Sequence, residues 1–108
     1  TRVSVAGQVA MGPDGKVRHA GDLAAQAALA FDNVLAVLTH AGARPEHMVR
    51  MTWYILDRSE YNARLKELGQ AYREVIGRHF PAMSCVQVAA LIEARAKVEI
   101  EVTAVLPD

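Results

Sequence analysis

The sequence predicts an α+β fold, with two helices on one face of a mixed sheet. Three observations carry this. Two long stretches place apolar residues at helical spacing, the last eight residues of regular pattern alternate with period two, and the elements run strands, helix, strand, helix, strand, strand. With 108 residues the chain is expected to form one domain over 1–108, burying about 60 to 70% of the surface that the unfolded chain exposes.

The opening residues Arg2-Val3-Ser4-Val5 alternate polar and apolar, and Gly7-Gln8-Val9-Ala10 reads as further strand or a bulge before the turn Gly12-Pro13-Asp14-Gly15. Beginning inside a strand, the chain is expected to lack a short N-terminal piece of the domain. Leu23, Ala27, Ala30, Phe31, Val34 and Leu38 then share one helix face. Asp22 is the expected N-cap, because its carboxylate accepts from the free backbone donors of the first turn, and Gly42 suits the left-handed position after the helix.

Met48–Leu56 reads as a strand with Val49, Met51, Trp53 and Ile55 on one side and Arg50, Thr52, Tyr54 and Leu56 on the other. Ser59 is the expected cap of the second helix, whose seam is Tyr61, Leu65, Leu68, Tyr72, Val75 and Ile76, with Gly77 and Pro81 ending it. A short strand follows at Cys85–Val88, then a loop near Glu93–Ala96. In the final strand, period two sends Val98, Ile100, Val102 and Ala104 toward the helices, and Glu99, Glu101 and Thr103 to the other face. No part of the chain covers that second face, so packing against further copies is expected.

Twelve basic residues balance twelve acidic ones, so the charge that nucleic-acid backbones demand is absent and no nucleic-acid partner is expected. No apolar run reaches the roughly 20 residues of a membrane span. A single cysteine and no secretory pattern lead to the expectation of a cytoplasmic protein. His19, His40, His47 and His79 fall at loops and helix ends without metal-ligand spacing, and no phosphate loop or nucleophile elbow occurs, so no metal or cofactor is expected. Cys85 has two readings, a small core hydrophobe or, less commonly, a nucleophile. Glu99 and Glu101 are either solvated or, where an interface buries them, useful acids and bases.

Several ordered motifs carry a family resemblance across essentially the whole chain. Ala6-Gly7-Gln8 is similar to S-G-Q, and Asp22 through Gln26, Asn33 and Ala41-Gly42 resemble D-x-x-x-Q…N…A-G. Phe80-Pro81-Ala82-Met83-Ser84-Cys85-Val86 is similar to F-P-A-R-S-C-V, and Val98-Glu99-Ile100-Glu101 to the terminal V-E-I-E. These are motifs of the Rid (YjgF-type) family of imine deaminases. The resemblance implies a chorismate-mutase-like subunit that assembles as a homotrimer, with small carboxylate-bearing ligands bound in clefts between subunits and no cofactor. It also implies that Gly7, Ser84 and Cys85 line the pocket and that Glu99 directs the water attacking an imine carbon.

The departure is Met83, which stands where the family's arginine holds the substrate carboxylate. A thioether offers neither charge nor donor. Losing such a contact typically costs about 2 to 5 kcal/mol, on the order of tens to thousands in rate. The resemblance therefore implies a branch without the arginine. Its expected activity is hydrolysis of an imine, enamine or related C–N metabolite outside the standard 2-imino acids, or else, in a non-catalytic trimer, metabolite binding alone. Arg95, in the last loop, is either solvated or a substitute cation for the cleft. The tyrosine that the family's N-terminal strand supplies has no counterpart in these residues.

Overall fold

A computed structural model describes all 108 residues. Four strands, β1 (Arg2–Gln8), β2 (Met48–Ile55), β3 (Ala82–Gln87) and β4 (Val98–Val105), form one mixed sheet in the order β1-β4-β2-β3. β4 runs antiparallel to both β1 and β2, while β2 and β3 are parallel. The helices α1 (Leu23–His40), α2 (Arg58–Ala63) and α3 (Leu65–Val75) belong to the α+β architecture that the sequence predicted.

α1 forms as expected. Asp22 accepts a hydrogen bond from the Ala25 amide at 3.1 Å, and Gly42 takes φ +80° just beyond the end, a backbone region where a side chain would be strained. By length and composition α1 is apolar enough to cross a membrane, yet Leu23, Ala27, Ala30, Phe31, Val34 and Leu38 are buried in the core against the sheet. At the centre of that core, Phe31 meets Trp53 and Tyr72 edge-on, at ring-centroid distances of 5.3 and 5.4 Å. Such geometry sets the positive edge of one ring against the negative face of another.

Four local expectations are corrected. The second helix is two, separated at Arg64, where φ −115° and ψ 18° leave the helical region. Its cap is Asp57, which accepts from the Glu60 amide at 3.1 Å, so Ser59 lies inside the first turn. β3 starts at Ala82 rather than Cys85, because pairing with Arg50–Ile55 of β2 draws the preceding residues into the sheet. In β2, the register shifts between Met48 and Arg50, and this bulge turns Val49 outward and puts Met48 in the core instead.

Two polar side chains of α1 hold the loops beneath it. Gln26 is fully buried, and its amide donates to the carbonyls of Arg95 (2.8 Å) and Arg18 (3.2 Å) while accepting from the Lys97 amide at 2.7 Å. A buried amide satisfied on both its oxygen and its nitrogen fixes the loop that leads into β4. Asn33 does the same for the chain after β1, donating to Val9 and Met11, both at 3.0 Å. His79 is likewise structural, its Nε2 lying 2.8 Å from the Met48 carbonyl.

Candidate functional site

The alternation in β4 is realised in full. Val98, Ile100, Val102 and Ala104 are buried under the helices, whereas Glu99, Glu101 and Thr103 stand on the open face. Cross-strand register then assigns every neighbour a side. Met51 and Trp53 pair with Val102 and Ile100 on the helix side, while Thr52 and Tyr54 pair with Glu101 and Glu99 on the open side. Met51 and Trp53 thus belong to the core, and the open face carries Thr52, Tyr54, Glu99, Glu101 and Thr103.

Glu99 lies against the backbone of β1. A Cβ on Gly7 would come 2.3 Å from Glu99 Oε2 and 2.7 Å from Cδ, closer than atoms approach, so the carboxylate holds this position only because residue 7 has no side chain. Gly7 sits in the register shift between Val5 and Gln8, the bulge that brings β1 backbone up to this side chain. The Glu99 side chain has no hydrogen-bond donor of its own within the chain, whereas Glu101 accepts from the Tyr54 hydroxyl at 2.6 Å. That bond to a carboxylate raises the Tyr54 pKa above the ordinary phenol value, with burial adding to it, so the phenol remains a donor. Glu99, Glu101 and Tyr54 border a cleft of about 260 Å³ whose far wall is the Val88–Ile92 segment.

Met83 and Cys85 occupy the other side of the sheet. They pair with Met51 and Trp53, so they point toward the helix layer, while Ser84 pairs with Thr52 and shares Glu99's face. Ser84 Oγ accepts from Arg50 at 2.8 Å. Thus Gly7, Ser84 and Glu99 stand on one face and Met83 and Cys85 on the opposite one. Within the chain the five do not share one face.

Cys85 is not the core residue that an apolar strand suggested, because β3 is the sheet edge and the residue is exposed. Its thiol nevertheless turns toward Tyr61, and this partial burial pushes its pKa up, partly offset by the Tyr61 hydrogen bond. A thiol held protonated is a poor nucleophile. Arg95 lines a separate cavity with Lys16 and Glu93, its backbone held by Gln26. It is no neighbour of Met83. No cluster of three metal-binding side chains occurs.

Strand parity already put Tyr54 on the side of Arg50 and Thr52, but its bond to Glu101 required the β2–β4 register. Arg73, which lines the same cavity as Met83, gave no signal, since a helix-surface arginine is ordinary.

The family described as Endoribonuclease L-PSP matches residues 1–106. A 2-iminobutanoate/2-iminopropanoate deaminase of Escherichia coli K12 is 35% identical over 104 residues, covering 95% of this chain and 78% of that protein. Among solved structures, the Rid-family protein YyfB of Yersinia pestis superposes with a TM-score of 0.87 at 34% identity, over 97% of this chain and 78% of that one. TdcF of E. coli, solved with bound serine, gives 0.83 at 31% identity, over 99% and 82%.

Proposed function

Because this chain belongs to the endoribonuclease L-PSP family, the Rid (YjgF-type) proteins, we propose that it is a deaminase-like hydrolase of imines, enamines or related C–N metabolites, working in clefts between the subunits of a homotrimer. One observation carries the reading. Glu99 is a carboxylate without an intrachain donor, packed on a glycine whose missing side chain leaves room for it and open to a cleft. The similarity to a named imine deaminase and to a relative solved with bound serine supports a small ligand of this kind.

In this reading Glu99 accepts a proton from water as the water oxygen attacks the imine carbon. Starting from the protonated imine, the resulting carbinolamine receives that proton on nitrogen, its hydroxyl proton passes to Glu99 as the C–N bond breaks, and ammonia and a carbonyl product leave. General-base assistance of this type contributes roughly 10²- to 10⁴-fold. Glu101 is occupied by Tyr54 and serves to hold the polar wall. The separation of Glu99 from Met83 across the sheet supports a site completed by a second copy, with Gly7 and Glu99 from one subunit and Met83 and the Ser84–Cys85 segment from its neighbour.

Met83 sets the substrate apart from standard 2-imino acids, for it puts an apolar thioether where the family's guanidinium holds their carboxylate. The same apolar character favours a second reading, a trimer that binds a metabolite without turning it over. Ammonia release from 2-iminopropanoate generated in situ tests the proposal. Wild type is expected to be slow and Met83→Arg faster by at least tenfold, in line with a charged contact of about 2 kcal/mol or more. Wild-type turnover equal to that of the variant would remove the argument from Met83. Light scattering should give three times the mass of one chain, and a monomer would eliminate the shared cleft.

A further inference from the structure

On the helix side of the β3 edge, Met83 opens onto a cavity of about 170 Å³ between that strand and the α2–α3 segment. Its walls are apolar apart from one cation, Arg73. An apolar cavity of roughly 150 Å³ is enough to admit benzene, so the space suits a single ring rather than a drug-sized ligand. One wall is already flat and aromatic: Tyr72 and Phe80 stack with centroids 5.2 Å apart and planes 14° from parallel. Phe80, Leu65 and Met83 stay 62, 52 and 39% exposed around it, a concentration of open apolar surface of the sort that marks a ligand or partner site.

Gly69 explains how the cation reaches this place. Glycine is the poorest helix former after proline, yet here it lies mid-helix in α3. One turn on, Arg73 lies across it, with Nη1 only 3.2 Å from where a Cβ of residue 69 would stand. Arg73 takes part in none of the four ion pairs of the chain. Its fork of donors is therefore available, and a planar guanidinium matches a carboxylate in a way that a neutral group does not.

We propose that this cavity binds a small arylalkyl carboxylate, its ring on the Tyr72–Phe80 wall and its carboxylate on the Arg73 guanidinium. The proposal rests on reading Met83 as the ligand-facing part of the site, and it is independent of the chemistry assigned to Glu99. It makes Arg73 a specificity residue on α3, reached over Gly69.

Trp53 is the only tryptophan and lines this cavity, so its fluorescence reports occupancy. Phenylacetate should produce a saturable change, and the neutral isostere phenylacetamide should bind about tenfold more weakly, the scale expected for one charged hydrogen-bonding contact. Arg73→Gln should erase that preference, with the fold unchanged because no intrachain ion pair is lost. Gly69→Ala, which crowds the guanidinium while favouring the helix, should reduce the preference while preserving thermal stability. Equal binding of acid and amide, an Arg73→Gln variant that keeps the preference, or no response to either compound would overturn the proposal. Glu99→Gln should bind phenylacetate as wild type does, so loss of turnover and loss of this ligand are separate outcomes.

Discussion

Glu99→Gln is expected to lower ammonia release from a competent imine by roughly 10²- to 10⁴-fold, the range that a positioned general base contributes. Glutamine keeps the shape and the oxygen but not the basicity. The fold should be indifferent, because no side chain within the chain donates to Glu99, Tyr54 donating to Glu101 instead, and no buried partner is orphaned by the change. Unfolding should therefore occur at the same temperature as wild type. Gly7→Ala should reproduce the loss by another route, since its Cβ would collide with Oε2 and drive the carboxylate from its position. The double variant should be little worse than either single one, as befits two changes acting on one group. Turnover within a few-fold of wild type in Glu99→Gln would remove Glu99 from the chemistry and leave the binding-only reading.

Phe31→Ala should produce the largest loss of stability, about 3 to 5 kcal/mol. Phe31 is fully buried and joins three elements, touching Trp53 of β2 and Tyr72 of α3 from α1. Truncation removes the ring from water-excluded packing and leaves a cavity bounded by other rings, which cannot collapse without moving a helix from the sheet. Against a total stability of about 5 to 15 kcal/mol, this is a large share, and chemical denaturation of the two proteins measures it. A difference under about 1 kcal/mol would show that the aromatic cluster is not the keystone its geometry implies. Phe31→Leu should recover much of the loss, since it retains most of the apolar volume.

How much could be read from residues alone differs between helices and strands. α1 was legible because cap, apolar face and terminal glycine are all local, set by Asp22, the Leu23-to-Leu38 stripe and Gly42. β4 was legible because its alternation is unbroken, and it put Glu99 and Glu101 on one face before any pairing was known. The start and division of the second helix were not, because Asp57 and Ser59 are both good caps, decided only by the bond from the Glu60 amide to Asp57, and nothing in the residue type at Arg64 marks a break. The bulge at Val49 and the early start of β3 also escaped, being consequences of register with β2.

The site divides in the same way. The motifs determined the family, and the identity of Met83 alone implied an altered recognition of carboxylate. What only the tertiary structure decided is which residues share a side. β3 pairs in parallel with β2, and period two carries Met83 and Cys85 to the helix layer while Ser84 joins the face of Glu99. The glycine at position 7 acquired its reason only when β1 was seen lying on the Glu99 carboxylate. Arg73 likewise shares a cavity with Met83 only because the fold of α3 lays it over Gly69. Local patterns determine elements because their hydrogen bonds and caps are made by near neighbours, whereas convergence across a sheet depends on register and strand order, which are settled by burial of the whole core at once.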